Sequence, residues 1–245
     1  MIYQIKVEYL GKKFVGWQAQ KNGASIQETI ERILSKILKE NIRITGSGRT
    51  DAGVNATGQS AHFQTQKAIL DKDVFLSSVN YFLSKFSISI LNIKKRSSKF
   101  HARYSARERI YNYVIINRFS PLVLDKDRAW HIKKKLNLSI MQKGAKILKG
   151  RHNFSTFRSS SCQASSPVRT LKKIMVKKNK NKIILTFQSQ SFLQQQVRSM
   201  VGALKYLGEG KWNLKYFKKV FVSKKRILCA PPAPAQGLYL SKVIY

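Results

Sequence analysis

The chain has 245 residues, enough for one large domain or two small ones, and its 43% of hydrophobic residues can form a buried core. Lys and Arg number 47 against 11 Asp and Glu, which gives a net charge of +36. A charge of that sign favours a polyanionic partner, and nucleic acid is the first candidate. Lysine supplies 33 of the 47 cations, in pairs scattered along the chain, which also fits a general drift toward lysine. Charge therefore indicates the class of partner without locating a site.

The cysteines, histidines and apolar runs argue against several other classes. Cys162 and Cys229 lie far apart and the four histidines are not clustered, so neither a disulfide framework nor a zinc site is expected. No apolar run approaches the length of a membrane span. Met1 leads directly into an alternating polar and apolar run, which is not the pattern of a signal peptide. We therefore expect a soluble cytoplasmic protein that binds no metal.

The first elements in chain order predict a split βαβ arrangement. Apolar and polar residues alternate over 3–9, which indicates a half-buried strand at the start of the chain. A loop over 11–23 leads to a capping box of Ser25 and Glu28 ahead of an amphipathic helix. Strands are predicted over 42–45, 59–65 and 87–94, and a second helix over 71–84. The inward residues predicted for that second helix are Val74, Val79, Phe82 and Leu83.

The second part of the chain repeats this order without repeating the sequence. The predicted elements are a strand over 107–117, a helix over 138–148, a hairpin of 172–177 and 183–188, helices over 192–207 and 214–222, and a closing strand over 238–244. The predicted fold is α+β, with two tandem ferredoxin-like (split βαβ) halves related by a pseudo-two-fold axis. We expect mainly antiparallel sheets and a basic cleft between the halves. The predicted domains are 1–104 and 105–245.

The most informative stretch is 46–62, which holds four glycines together with Arg49 and Asp51. Glycines let the backbone turn tightly or approach a ligand closely. Because Arg49 and Asp51 are two residues apart, a turning backbone could bring both side chains to one site, where the arginine would keep the carboxylate ionised. A Gly-rich hairpin with a surface ion pair explains the same residues about equally well.

The sequence GRTDAGV at 48–54 resembles the catalytic motif of the tRNA pseudouridine synthases of the TruA family. Four further stretches resemble the same family, and together they cover nearly the whole chain. They are FHARYSAR at 100–107 with RIYNY at 109–113, GRHNFSTFR at 150–158 with SCQASSPVR at 161–169, FLQQQVRSMVGAL at 192–204, and APPAPAQGLYL at 230–240.

The resemblance implies a site built from distant parts of the chain. Asp51 would be the essential catalytic carboxylate, with Arg49 and Arg198 orienting it and keeping it charged. Tyr111 would stack on the target base, and Leu238 would form an apolar wall of the base pocket. From the residues alone, a core tyrosine on a strand and a surface arginine on a helix also fit positions 111 and 198.

Two positions depart from the family pattern. Asn55 stands where the family commonly has His, so it could order the backbone but could not titrate as histidine does. Asn153 stands where the family usually has Asp, and we expect it to make a structural hydrogen bond and not to be catalytic. Both departures leave Asp51 unaffected.

The resemblance also implies the reaction, which is conversion of uridine to pseudouridine at positions 38–40 in the anticodon stem-loop of tRNA. The glycosidic bond must break, the uracil must rotate, and C5 must join C1′ of the ribose. Whether Asp51 attacks the base, attacks the sugar or abstracts a proton is open at this point. No redox step or group transfer occurs, so no cofactor is expected. A target base in a stem must be flipped out of the helix. The family's homodimers predict a dimer here, in the cytoplasm or in an organellar matrix.

A non-catalytic RNA-binding protein with two split βαβ modules is the main alternative. It would have the same composition and element order, but binding alone would not require Asp51 and its arginines. A metal-dependent nuclease would need clustered carboxylates, which the sequence does not contain.

Overall fold

The computed structural model describes residues 1–20 and 23–245, and there the chain forms two compact units. The first unit contains 1–107 and 239–245, and the second contains 108–238. The predicted domains, 1–104 and 105–245, place the junction slightly earlier and assign the closing strand to the second half. Two residues of the predicted loop over 11–23, Lys21 and Asn22, lie outside the described residues.

The first unit is a mainly antiparallel sheet with two helices. Its elements are β1 (Ile2–Tyr9), α1 (Ile26–Leu38), β2 (Ile44–Gly46), β3 (Asn55–Gln64), α2 (Lys72–Leu83), β4 (Ile88–Arg96) and the strand here numbered β10 (Leu238–Ile244). Strand β1 lies between β4 and β3 and is antiparallel to both. Strand β2 pairs antiparallel with the far end of β3, whereas β10 runs parallel to its beginning. The order β4–β1–β3–β2 confirms the ferredoxin-like prediction for this unit.

The core of the first unit follows the predicted pattern on β1 and α1 but not on α2. The alternate residues of β1 from Tyr3 to Tyr9 are buried, and Ser25 Oγ caps α1 by accepting a hydrogen bond from Glu28 N at 3.1 Å. In α2 the buried row is Phe75, Val79 and Leu83. The predictions for Val74 and Phe82 were wrong, because successive helical residues are rotated by about 100° and positions 75, 79 and 83 share one face. Val74 is 62% exposed and Phe82 is half-buried.

The second unit contains an antiparallel sheet in the order β5–β9–β8–β7, with β6 pairing in parallel with β5. Its elements are β5 (Glu108–Asn117), β6 (Trp130–Ile132), α3 (Leu138–Leu148), β7 (Gly150–Asn153), β8 (Val168–Asn179), β9 (Lys182–Ser189), α4 (Gln196–Gly208) and α5 (Leu214–Val222). Both helices α3 and α5 have the predicted bounds. The sequence did not predict β6 and β7, because strands of three or four residues show too little alternation.

Helix α4 begins four residues later than predicted, and this places Arg198 in its first turn. Gln195 adopts a left-handed conformation, with φ of 59°, which cannot continue a helix. The Gln196 side chain folds back and accepts a hydrogen bond from Leu193 N at 2.8 Å. The apolar face was predicted correctly, since Leu193, Val197, Val201 and Leu204 are all buried.

Within residues 1–20 and 23–245, no helix combines the length and the apolar character needed to span a membrane.

Candidate active site

Asp51 lies on a tight turn in the loop that joins β2 and β3. Its carbonyl oxygen accepts a hydrogen bond from Val54 N at 3.1 Å, and Gly53, the third residue of the turn, has φ of +74°. A type II turn requires a positive φ at that position, which favours glycine. The second glycine of the GRTDAGV motif therefore forms the turn that presents the half-buried Asp51 side chain.

The residue before Asp51 is fixed from two directions. Trp17 N donates to the Thr50 carbonyl at 3.1 Å, and the Thr50 hydroxyl lies 2.8 Å from the buried hydroxyl of Tyr9. Gly16 pairs with Asp51 as an isolated antiparallel bridge. A Cβ on Gly16 would come within 2.6 Å of the Thr50 carbonyl oxygen, and its φ of +122° also excludes most side chains. The backbone at 50–51 is thus held by the strand and loop that precede α1.

The side chain of Gln59 fixes the beginning of the motif. It is buried, donates to the Gly48 carbonyl at 2.9 Å, and accepts from Ser47 Oγ at 2.8 Å and from Ser60 N at 3.1 Å. Arg49 follows Gly48 directly and has an exposed side chain. Arg49 and Asp51 therefore lie on one hydrogen-bonded loop, one exposed and the other half-buried. The hydrogen bonds of Gln59 and Tyr9 could not be predicted from a local pattern, because their partners lie 11 and 41 residues away.

The two asparagines that depart from the family pattern both hold backbone groups. Asn55 is buried, and its Oδ1 accepts a hydrogen bond from Gly11 N at 2.8 Å. Asn153 Oδ1 accepts from the backbone N of Ser155 at 2.9 Å and from the Ser155 hydroxyl at 2.7 Å. The expected backbone-ordering role of Asn55 and the structural hydrogen bond of Asn153 are confirmed.

Tyr111 and Tyr113 occupy the same face of β5 in the second unit. The Tyr111 ring is 9% exposed and meets Phe192 edge to face, with ring centroids 5.2 Å apart. The Tyr113 ring is fully buried, and its hydroxyl donates to the Pro234 carbonyl at 2.8 Å. Burial raises the pKa of the Tyr113 hydroxyl, although the positive charge of Arg198 acts in the opposite direction. Tyr113 is therefore a neutral donor.

Arg198 holds the Pro-rich segment, residues 230–235. Its Nε donates to the Ala233 carbonyl at 2.7 Å, and Ala233 N donates to the Arg198 carbonyl at 2.9 Å. One turn later in α4, a Cβ on Gly202 would lie 2.0 Å from the Pro231 carbonyl oxygen. Arg198 and Tyr113 thus bind the successive carbonyls of residues 233 and 234. A segment rich in proline has few N–H groups of its own, so its carbonyls depend on such donors.

The predicted site residues are distributed over both units. Arg49 and Asp51 belong to the first unit, whereas Tyr111, Arg198 and the buried Leu238 at the start of β10 belong to the second. In the described part of the chain, no three His, Cys, Asp or Glu side chains cluster in a way that could hold a metal ion.

The class of protein follows from comparison with protein families. The model of a family described as tRNA pseudouridine synthase matches residues 5–105 and 145–245. These two stretches contain Arg49, Asp51, Arg198 and Leu238, while Tyr111 lies between them. The duplicated match agrees with the repeated element order. The class is that of isomerases that act on uridine in tRNA.

Full-length relatives define the family more closely. A protein described as tRNA pseudouridine synthase A from Pelagibacter ubique (strain HTCC1062) is 59% identical over 243 residues, which cover 99% of each chain. Proteins with the same description from Maricaulis maris (strain MCS10) and Ehrlichia canis (strain Jake) are each 42% identical. They cover 99% and 100% of this chain, and 97% and 100% of their own lengths. The chain belongs to the tRNA pseudouridine synthase A family, as its motifs predicted.

Proposed function

We propose that the protein converts uridine to pseudouridine at positions 38–40 of the tRNA anticodon stem-loop and that Asp51 is its essential carboxylate. The observation that carries this proposal is the anchoring of the loop around Asp51. Trp17 fixes the preceding carbonyl and Val54 fixes that of Asp51 itself, at 3.1 Å each. Catalytic groups must be held close to their productive geometry, and a turn bonded on both sides provides that.

Arg49 and Arg198 support the carboxylate in this proposal. Positive charge near a carboxylate favours its ionised form and so lowers its pKa. The bond from Arg198 Nε to the Ala233 carbonyl orients the guanidinium plane, because the five N–H groups of arginine have a fixed geometry. In this proposal Arg198 is the second arginine that keeps the Asp51 carboxylate charged.

Tyr111 and Leu238 form the base-binding part of the proposed site. The edge-to-face contact with Phe192 fixes the orientation of the Tyr111 ring, which suits stacking against a flipped uracil. Leu238 is buried at the start of β10 and supplies an apolar wall. We further infer that the protein is a homodimer in the cytoplasm, with tRNA contacting both subunits.

The reaction balances within the substrate. The bond between N1 and C1′ breaks, the uracil turns, C5 bonds to C1′, the hydrogen on C5 leaves as a proton, and N1 takes up a proton. A carboxylate at position 51 can act as nucleophile or base at these atoms, and an amide at the same position is far weaker in both roles.

The test is Asp51→Asn, assayed with tRNA that carries tritium at C5 of uridine, which is released to water only when pseudouridine forms. We expect folded protein, tRNA affinity equal to or tighter than wild type, and tritium release at background. Asp73→Asn, which removes an exposed carboxylate from α2, should release tritium at the wild-type rate. Wild-type release by Asp51→Asn would show that the catalytic assignment is wrong. Undiminished release from tRNA lacking uridine at 38–40 would show that the position is wrong.

A further inference from the structure

The FHARYSA stretch at 100–106 has no role in the candidate active site, yet it builds a column of aromatic rings in the first unit. Five rings contact one another in succession, and we call them the ring column. The centroid distances are 4.3 Å for Tyr104–His101, 4.9 Å for His101–His62, 6.0 Å for His62–Phe100 and 5.0 Å for Phe100–Tyr245. The Tyr104 and His101 rings are stacked, with 29° between their planes.

The ring column lies on the sheet face opposite to the stacked pair Tyr3–Phe63, which is buried. His62 precedes Phe63 on β3, and successive strand residues point to opposite faces. His62 is paired with Gln4 of β1, which follows Tyr3. The ring column therefore covers the polar face of this sheet and is not an extension of its core.

Hydrogen bonds hold the rings of His62, Tyr245 and His101 in place. His62 Nδ1 accepts from Ala102 N at 3.1 Å, and the Tyr245 hydroxyl donates to the Ala102 carbonyl at 2.9 Å. His101 Nδ1 accepts from Arg103 N and Tyr104 N at 3.2 and 3.3 Å. Burial lowers the pKa of His62, and His101 lowers it further, so His62 remains a neutral acceptor.

The ring column ends at Tyr104, which is exposed to solvent. Tyr104 is 76% exposed although one side of its ring packs against His101. An exposed aromatic ring with a fixed backing ring can stack on a flat ligand without first losing side-chain freedom, which lowers the entropic cost of binding. A single exposed tyrosine is common on protein surfaces. Tyr104 differs because a second ring, that of His101, is stacked behind it.

The stretch 94–107, which carries three of the five rings, contains six cations and no Asp or Glu: Lys94, Lys95, Arg96, Lys99, Arg103 and Arg107. Lys94 pairs with Gln4 on the face of the ring column, whereas Lys95 pairs with Tyr3 on the opposite face. The Arg103 guanidinium lies 5.6 Å from the Tyr104 ring centroid, and that of Arg96 lies 4.9 Å from the Phe100 centroid. An aromatic stacking surface flanked by cations is the combination that binds single-stranded nucleic acid.

We propose that the ring column is a binding site for one unpaired nucleotide of the tRNA substrate. The base stacks on Tyr104, and the adjoining phosphates bind Arg103 and its neighbouring cations. This site rests on the proposed function in that tRNA is the partner, but it is a binding site and performs no chemistry. It would add affinity for tRNA beyond the contacts of the target uridine.

The experiment compares Tyr104→Phe, Tyr104→Leu and the control Tyr81→Leu. Tyr81 of α2 is 67% exposed and has Lys85 at 5.6 Å from its ring centroid, so it matches Tyr104 in exposure and in cation distance. The probes are an unmodified tRNA transcript, a single-stranded oligouridylate and a fully paired RNA duplex. Affinities are measured by fluorescence anisotropy at one fixed salt concentration.

We expect Tyr104→Leu to weaken binding of tRNA and oligouridylate about ten-fold, since one base stack on an aromatic ring has an effect of that order. Duplex binding should not change, and both Tyr104→Phe and Tyr81→Leu should bind as wild type does. In tritium release, Tyr104→Leu should raise KM and leave kcat unchanged.

Wild-type affinity of Tyr104→Leu for oligouridylate would overturn the proposal. An equal loss for the duplex would also overturn it, because the bases within a paired helix are already stacked on one another and are not available to the ring. A loss in Tyr104→Phe equal to that in Tyr104→Leu would assign the effect to the hydroxyl and not to stacking. The anisotropy measurements need no turnover, so a failure of the proposed function and a failure of this site give different results.

Discussion

At the scale of single residues, Tyr111 and Tyr113 show how two identical side chains on one strand face serve different purposes. The hydroxyl of Tyr113 is bonded to Pro234 and its ring is fully buried, which makes it a support for the Pro-rich segment. Tyr111 retains slight exposure, and its ring is oriented by Phe192. Only Tyr111 is therefore a candidate for contact with the target base.

Substitutions at these two positions should separate the roles. Tyr111→Phe keeps the stacking ring and should bind the flipped base better than Tyr111→Ala, as measured by tritium release and tRNA affinity. Tyr113→Phe should lower the free energy of unfolding by about 1–2 kcal/mol in urea, because the Pro234 carbonyl loses its donor. Near-normal turnover in both Tyr111 variants would remove this residue from the site.

The two cysteines should differ in their pH dependence. Burial raises the pKa of the Cys229 thiol to about 11. Burial also acts to raise the pKa of Cys162, but hydrogen bonds from the backbone of Ala164 and Gln194, together with the charge of Arg158, outweigh it and lower that pKa. Alkylation by iodoacetamide, followed by mass spectrometry across pH, should give a midpoint below the usual value for Cys162 and near 11 for Cys229.

The sign for stability follows from the same shift. The folded-state pKa of Cys229 exceeds its unfolded value of about 8.5. The contribution of the protonated thiol to the free energy of unfolding is therefore complete below about pH 8.5 and declines as the pH rises toward 11. Equal alkylation midpoints for the two thiols would contradict both statements.

At the scale of elements, α4 and the Pro-rich segment are packed directly against each other. Gly202 is in close contact with Pro231, and Arg198 is bonded to Ala233. Gly202→Ala should displace the segment, reduce the free energy of unfolding by about 2–3 kcal/mol and lower turnover. Gly210→Ala is the control, because a Cβ there meets nothing within 4 Å and only its φ of +76° is unfavourable, at about 1 kcal/mol. Wild-type turnover in Gly202→Ala would show that the segment does not position Arg198.

Elements were predictable from sequence where a long periodic pattern decided them. Helices α3 and α5 have the predicted bounds, and the structure adds an asparagine N-cap at the start of each one. The start of α4 was not predictable, because residues other than glycine and asparagine rarely adopt the left-handed conformation that Gln195 has. At the candidate site, the motif predicts functional roles for Asp51 and Arg49. The buried side chains of Tyr9, Gln59 and Tyr113 form hydrogen bonds with groups 41, 11 and 121 residues away, which no local pattern indicates.

At the scale of the whole molecule, the excess of cations should give salt two opposite effects. With 47 cations and 11 acids, at least 36 cations have no carboxylate of their own, so self-repulsion opposes folding. Added KCl should raise the free energy of unfolding by screening that repulsion. It should also weaken tRNA binding. For each phosphate bound, log Kd should rise by about 0.9 for a tenfold increase in salt. A flat log–log plot of Kd against salt would contradict a polyelectrolyte partner.

The parallel pairing of β10 with β3 has a consequence for how the protein acquires its structure. Tyr239 pairs with Asn55, so the first unit recruits a strand that the ribosome makes after the whole of 108–238. Contacts of such high sequence separation carry a large loop-closure entropy and form late. During synthesis, the edge of β3 that pairs with β10 at Asn55 and Ala56 therefore stays unpaired until residues 239–245 have been made. We expect the second unit to reach its native state before the first. This order is the reverse of the order in which the ribosome begins to synthesise the two units.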